Sequence, residues 1–547
     1  MSPRTLVVLG AVLLSGCFSE AEPLHASDGD ESSGTSGSAM GSTGAATDAT
    51  TGVAESTTGD VASTSGAESS STVGSSSTGE WAESSTGEPC QEGTLGCSCD
   101  MGDCMEGSCR DDVCVESVCG DGLVEGDEAC DDGNDVMQDG CEPGCTASTG
   151  VAKIASGDQF SCALFHDGRL RCWGSNSYGQ LGYGQIGHVG DDETPASMGD
   201  VDVGAAVVDV ACGREHTCVI VEGGAVRCWG FNNRWQLGIP SYGTNEVIGD
   251  EPDEVPSMLP DVNLGGTAVA ITATTWSTLV LLDDGTVRCF GLNASFGTCG
   301  YGTNEYVIGD DEHPVVEGPI ELGGVATAID GHGDHACALL DDGTARCWGF
   351  NEDGALGQGD TETIGDDELP TSVPAIAFDE PITEIQTALR HTCVRLGSGG
   401  VKCWGRNVAG QLGLGHTEPV LGAHDQPALE LGGAAVDLAA GGGHGCALLD
   451  DGNIRCWGDA NFGRLGYGAS GNDVGDDEMP DSQDPLELPF TVVHDVEVGN
   501  SFSCARVDGG EVACWGANSA GQLGQPGLDY FGDNETLGAL SPIALED

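Results

Sequence analysis

From Val151 onward the chain repeats one short rhythm of apolar and polar positions. An alternating apolar run meets a turn of acidic residues and glycine, and a second alternating run ends in Cys-Trp-Gly, as in CALLDDGTARCWG from Cys337 to Gly349. Period-two alternation on both sides of an Asp-Asp-Gly predicts a β-hairpin closed by a three-residue loop, with Gly343 supplying the left-handed residue. The unit Cys-x9-Cys-Trp-Gly, or a close variant, starts at Cys162, Cys218, Leu279, Cys337, Cys393, Cys446 and Cys504, with successive starts 53 to 61 residues apart. A period of that size belongs to solenoids, propellers or arrays.

Counting back from the loop sets the register. Leu340 pairs with Thr344, Leu339 with Ala345, and Cys337 with Cys347, so the two cysteines stand opposite each other. If the loop-closing pair is hydrogen-bonded, the cysteines occupy a non-hydrogen-bonded site with Cα atoms about 4.5 Å apart, which a disulfide tolerates. The same arithmetic predicts Cys162–Cys172, Cys218–Cys228, Cys393–Cys403, Cys446–Cys456 and Cys504–Cys514. Each closes a short loop and contributes at most ~2–3 kcal/mol by chain entropy.

The third repeat departs from the pattern. Leu279 stands where the first Cys belongs, Cys289 keeps the second place, Phe290 replaces Trp, and Cys299 appears where other repeats have the Leu of Gly-Gln-Leu-Gly. Cys212 lies outside the scheme as well. Three leftover cysteines cannot all pair within the chain, which predicts one free thiol or a bridge to another molecule.

Six of the nine tryptophans occupy one fixed place, at Trp173, Trp229, Trp348, Trp404, Trp457 and Trp515. One Trp per repeat reads as packing between repeats. Six repeats also set Arg or Lys just before the second Cys, as at Arg171 and Arg346, which predicts a structural ion pair to a neighbouring acidic turn. His216, His335, His391 and His444 recur two residues before the first Cys and read as satisfied structural hydrogen bonds.

Together these positions resemble the regulator of chromosome condensation repeat family. Its signature stands as GREHTCVIVEGGAVRCWGFNNRWQLG in the second repeat and as CWGRNVAGQLG in the fifth. The resemblance spans residues 151–547 and implies an all-β, seven-bladed β-propeller, matching the count of seven. Ala460 in place of the motif Asn and Trp235 in place of a Gly should bend loops locally. Ser541 to Asp547 looks like 318–324 and 426–433, so both ends of the repeat region carry complete cycles. That suits a closed ring better than an open solenoid, which needs capping repeats.

The segment before the propeller divides into short regions. Residues 1–16 read as a lipoprotein signal peptide, with Arg4 followed by the apolar run Thr5 to Leu14, too short to span a bilayer. Leu14-Ser15-Gly16-Cys17 resembles a bacterial lipobox, which implies acylation of Cys17; a multiply acylated Cys17 makes a stable anchor where one chain does not. Phe18 rather than Asp favours the outer membrane if the source has two. Residues 17–89 form a Ser/Thr/Gly-rich linker with almost nothing to bury, expected to be disordered. Residues 90–118 form a disulfide-rich module, and 119–147 a Cys-rich repeat resembling one common in secreted bacterial proteins. Asp131, Asp132, Asn134 and Asp139 read as turn residues, their spacing unlike an EF-hand loop.

Charge then narrows the function. The chain has 547 residues, 17 Lys plus Arg against 89 Asp plus Glu, and 26 Cys. Such a surface repels nucleic acid and an anionic leaflet, and leaves cations or a cationic protein as partners. Membrane contact is expected only through the lipid on Cys17. Regular cysteine pairs point to an extracytoplasmic, oxidising compartment, at the outer membrane or cell surface. Loops between repeats carry Asp191, Asp192, Glu193; Asp310, Asp311, Glu312; Asp366, Asp367, Glu368; and Asp476, Asp477, Glu478. These are candidate Ca²⁺ ligands or an acidic rim for a cationic partner, weighed against plain solvated turns. Asp250-Glu251 and Asp533-Asn534-Glu535 are variants, and the fifth repeat offers only His424 and Asp425. No nucleophile elbow, zinc-protease helix or phosphate loop occurs, so no enzyme activity is expected. The expected function is a cell-surface lipoprotein that binds protein through its propeller. The alternatives are a calcium-stabilised structural envelope protein and, further off, nucleotide exchange on a small GTPase as the resemblance implies.

Overall fold

A computed structural model describes residues 108–110, 113–115, 141–142, 146–242, 247–293, 296–303 and 305–546. The expectations for Cys17, the linker and most of the two Cys-rich modules, with Asp131, Asp132, Asn134 and Asp139, lie outside the described residues. Within the modules, Ser108–Arg110 pairs antiparallel with Val113–Val115, and Cys141–Glu142 with Thr146–Ala147.

The repeats form seven antiparallel sheets, each made of consecutive strands. In blade 4, the inner strand Ala326–His332 pairs with the middle strand His335–Leu340, which pairs with the third strand Ala345–Gly349. Cys337 faces Cys347 and Leu339 faces Ala345, as the loop arithmetic requires. Gly343 has φ +80°, and the loop closes through Leu340 N–H to the Thr344 carbonyl at 2.9 Å. Beyond each third strand, a returning segment bridges its final glycine: Val189 to Gly174, Ile364 to Gly349, Val474 to Gly458. In blades 2, 3 and 7 this becomes a two-residue fourth strand. Gly349 cannot be replaced: its φ is +111°, and an added Cβ would lie 2.6 Å from the Cα of His335.

All six expected hairpin disulfides are formed, with Cα atoms 4.0–4.1 Å apart. The third blade is stapled differently. Cys289 bonds Cys299 across 5.2 Å, and Cys212 is the free cysteine among the described residues. Leu279 and Cys299 have exchanged roles: Leu279 fills the hairpin site, while Cys299 takes the buried place held elsewhere by Leu181, Leu237 or Leu356. One buried side chain is swapped for another at each site, so the blade keeps its shape.

The tryptophans hold adjacent blades together, as expected. Each is completely buried, and its indole N–H donates to a carbonyl in the loop of the preceding blade. Trp229 reaches Gln180, Trp348 reaches Thr298, Trp404 reaches Ala355, Trp457 reaches Gln411 and Trp515 reaches Arg464, all at 2.8–3.0 Å. Trp173 of blade 1 donates to Gln522 of blade 7 at 3.0 Å, which closes the ring. Neither terminus completes a foreign blade. Closure instead uses this bond, the Ala196 N–H to Ala544 carbonyl bond, and an exposed ion pair of Arg169 with Glu546 at 2.8 Å.

The basic residue before the second Cys only partly behaves as expected. Arg171 and Arg227 pair with Asp200 and Asp261. Arg346, Lys402 and Arg455 instead donate to backbone carbonyls of the segment that returns along their own blade, and Arg288 to the Leu264 carbonyl of the segment that returns along the preceding blade. Pro370 and Pro480 open short 3-10 turns, and the guanidinium of Arg346 satisfies two carbonyls of its returning segment at once.

Candidate functional site

Two places collect chemistry: the acidic loops and the loop face of the propeller. Each acidic loop begins at a glycine seated on the turn of the preceding blade. A Cβ on Gly365 would lie 2.5 Å from the carbonyl oxygen of Gly297, and one on Gly475 would lie 2.7 Å from that of Gly410. Four loops bring three carboxylates together: Asp191, Asp192 and Glu193; Asp310, Asp311 and Glu312; Asp366, Asp367 and Glu368; Asp476, Asp477 and Glu478. In each, one oxygen per residue lies within 4.8 Å of the others. The four clusters do not merge, because each belongs to its own blade. Burial and the neighbouring aspartate push Glu193, Glu312, Glu368 and Glu478 up to about 7. Glu312, Glu254 and Glu535 accept the N–H of the loop's own glycine, at Gly309, Gly249 and Gly532, so the acid also shapes its turn.

The histidines are structural. His216, His335 and His444 are buried and reach the hydroxyl of the next blade's Thr278, Thr392 and Ser503 at 2.8–3.0 Å. Blade 6 carries Gly445 at that position, and His391 accordingly has neither ring nitrogen bonded. Burial drives His216, His335 and His391 down to about 3, so they are neutral at ordinary pH.

The loop face was not visible in the repeat pattern. It is built from the turns between inner and middle strands and from the loops that follow the third strands. Arg214, in the turn of blade 2, lies 5.0 Å from the ring of Trp276 in the equivalent turn of blade 3. Arg234, in the loop of blade 2, lies 5.9 Å from both Trp276 and Tyr306, the latter in the loop of blade 3. Tyr178 stacks on Phe231 at 4.4 Å. Farther round, Phe296 packs edge-on against Phe350, and Arg390 lies 5.0 Å over that Phe350 ring. Arg214 and Arg390 also face carboxylates, Asp158 at 3.5 Å and Glu352 and Asp353 at 3.2 Å. Arg234 has no carboxylate partner among the described residues, and Tyr306 is 57% exposed.

Trp235 and Phe462, in loops of the same series, are the two non-glycine residues at positive φ among those described, at +62° and +65°. Trp235 stands where the other blades have Gly179, Gly297, Gly354, Gly410, Gly463 or Gly521. A bulky residue held there costs about 1 kcal/mol or more, and such strain gathers at functional surfaces. Ala460 is tolerated because Asp473 accepts its N–H at 2.9 Å, while the motif Asn of other blades, such as Asn351, binds Leu356 N–H.

Comparison with known proteins places this architecture. The model of the RCC1-like domain matches residues 183–542, and that of the regulator of chromosome condensation (RCC1) repeat matches 151–180. The chain is 28% identical over 379 residues to the ultraviolet-B receptor UVR8 of Arabidopsis thaliana, covering 68% of this chain and 78% of that one. It is 28% identical over 318 residues to the human E3 ubiquitin-protein ligase HERC2, covering 56% of this chain but only 6% of HERC2. Among solved structures it is similar in fold to human WBSCR16, with TM-score 0.51, 20% identity, and coverage of 69% of this chain and 94% of that one. It is likewise similar to Prp20p of Saccharomyces cerevisiae, with TM-score 0.51, 19% identity, and coverage of 72% and 87%.

Proposed function

The chain belongs to the RCC1-like domain family, and from that premise we propose that its propeller is a protein-interaction module that engages its partner through the loop face. The observation that carries this is the group formed by Arg214, Trp276, Arg234 and Tyr306 across blades 2 and 3. Trp, Tyr and Arg dominate binding energy at protein interfaces. In a chain with 89 acidic and 17 basic residues, arginines stacked on accessible rings mark the place where binding differs from simple charge attraction. Prp20p was solved together with a study of its binding to Gsp1p and histones, and such binding supports a protein partner here without naming it. The ligase activity in HERC2's name has no counterpart in this reading, since the chain spans only 6% of that protein.

The partner is expected outside the cytoplasm. Seven disulfides within the described blades fit an oxidising compartment, and Leu14-Ser15-Gly16-Cys17 fits a lipid-anchored protein at the outer membrane or cell surface. The test is affinity capture from the envelope fraction with the full chain and with Arg234→Ala/Tyr306→Ala. A partner held by the wild type and weakened at least tenfold by the double variant, with an unchanged melting curve, supports the reading. A partner held equally by both overturns it. Labelling with radioactive palmitate, lost in Cys17→Ser, tests the anchor.

A second reading, a calcium-stabilised structural protein, is favoured by the four carboxylate triads. It predicts a melting temperature raised by Ca²⁺, reversed by EGTA and lost in Asp310→Asn/Asp311→Asn. An unchanged melting curve would dismiss it.

A further inference from the structure

The inner strands line a channel on the propeller axis, and they begin at the end opposite the loop face, beside the hairpin turns. Backbone bonds fix this placement. Val207, Ala268, Ala326, Ile382 and Ala435, each the first residue of its inner strand, donate their N–H to the Gly168, Gly224, Gly285, Gly343 and Gly399 carbonyls of the preceding blade's hairpin. The second residue of every inner strand is the extra residue of a β-bulge, skipped by the pairing with the middle strand. A bulge re-aims the side chain it carries. At this channel mouth it leaves Val208, Val269 and Val436 55%, 52% and 48% exposed, and Val325 and Val492, just before the inner strands of blades 4 and 7, are 49% and 48% exposed.

On blades 2, 3 and 4 three of these valines follow one another: Val208, Val269 and Val325. Apolar side chains exposed together at one end of a protein, with polar groups around them, mark an interaction surface. The surrounding groups are the hairpin turns of the same blades, which carry Glu222, Asp283, Asp284, Asp341 and Asp342, all exposed, and no Lys or Arg. The turns use only part of this charge. Asp284 and Asp342 accept the N–H and hydroxyl of Thr286 and Thr344 at 2.6–3.0 Å. Among the described residues, the side chains of Glu222, Asp283 and Asp341 make no hydrogen bond and no ion pair, so the turns form without them.

An apolar patch bordered by unpaired carboxylates complements a basic surface with an apolar side chain at its centre. We propose that the hairpin end of blades 2–4 is a second docking surface, for a protein segment in which lysines or arginines flank an apolar residue. The apolar residue sits on Val208, Val269 and Val325. The basic side chains lay their methylenes along the same valines and carry their charges to Glu222, Asp283 and Asp341. An anionic leaflet or nucleic acid is repelled by those carboxylates. The chain's own Cys-rich repeat fits poorly: residues 119–147 carry acidic side chains and no basic one. That repeat also joins the propeller elsewhere, at the seam of blades 7 and 1, where Gly150 abuts Gly509 and Gly510. The surface lies at the opposite end of the propeller from the loop face, so the two readings stand or fall separately.

Photo-cross-linking of the full chain in its own cells tests this. A photoreactive residue replaces Val269, with Ile186, 63% exposed in the loop after the third strand of blade 1, as the control position. One cross-linked protein absent from the control is expected, and mass spectrometry should find Lys or Arg beside an apolar residue in the joined segment. The yield should fall at least tenfold in Asp283→Asn/Asp341→Asn and in Val208→Ser/Val325→Ser, and should be unchanged in Arg234→Ala/Tyr306→Ala. If the valine pair proves to disturb the blades in a melting curve, the Asn pair, which keeps side-chain shape, decides. No cross-link above the control, a joined segment without basic residues (residues 119–147 of this chain included), or indifference to Asp283→Asn/Asp341→Asn would overturn the proposal. So would an equal loss in the loop-face variant.

Discussion

The layer between blades and the wall of the axial channel are both sevenfold, yet they use repetition in opposite ways. Between blades, six of seven copies solve the problem identically: a buried Trp donates to a carbonyl of the preceding loop, and an opposed cysteine pair locks the hairpin. Along the channel, the fifth inner-strand position runs Ala155, Ala211, Thr272, Asp330, Gln386, Ala439, Glu497, and only the first two neighbours match. Identity at a position reports what every blade needs in order to pack. Difference at a position reports what only one side of the ring does. The binding proposals rest on the second kind of position: the exposed valines at the channel mouth, and an aromatic cluster confined to particular blades.

Substitutions can break this comparison at either end. The largest effect is expected in the shared layer: Trp348→Ala leaves a cavity and an unpaired Thr298 carbonyl, and should cost about 3–5 kcal/mol in denaturant unfolding. A loss under 1 kcal/mol would mean that the tryptophans do not hold the blades. Next comes Cys337→Ser/Cys347→Ser, expected to cost at most ~2–3 kcal/mol, since the hairpin is already local.

The channel should respond with the opposite sign. Glu497 sits at about 8 when folded and at about 4.3 when unfolded, so the folded state favours its protonated form. Its contribution is fully present below about pH 4.3 and is lost as pH rises through 8. Glu497→Gln, which cannot ionise, should therefore match the wild type near pH 4 and exceed it by about 1–2 kcal/mol at pH 9, discounted for water in the lumen. A variant less stable than wild type at pH 9 would show that the ionised carboxylate is well compensated. The smallest effect belongs to the exposed closing pair: Arg169→Gln should cost about 0.2–1 kcal/mol and less in high salt.

The same contrast explains what the sequence made legible. Strand register, the six hairpin disulfides and the surplus of three cysteines followed from spacing alone, because a hairpin is a local object and its partners lie ten residues apart. Blade count followed from repetition. The partner of Cys289 did not follow, although the exchange of Leu279 and Cys299 is visible once repeats are superposed. The bulge shared by all seven inner strands, as between Val151 and Lys153, leaves no mark in the alternation. The arginine–aromatic cluster was invisible for a different reason. Arg214, Arg234, Trp276 and Tyr306 lie in two blades and share no repeat position, so only the ring brings them together. Trp235 showed in the sequence merely as a missing glycine; its left-handed backbone is what makes it notable.

The account stands on seven blades, each locked within itself and closed into a ring with no disulfide between blades. Peptide mapping of the non-reduced protein by mass spectrometry tests this most directly. It should yield seven disulfides in the propeller, each joining cysteines ten residues apart and including Cys289 with Cys299, and Cys212 should be the one propeller cysteine that accepts an alkylating agent after unfolding. A bond between different blades, or Cys212 found joined to Cys289, would contradict it.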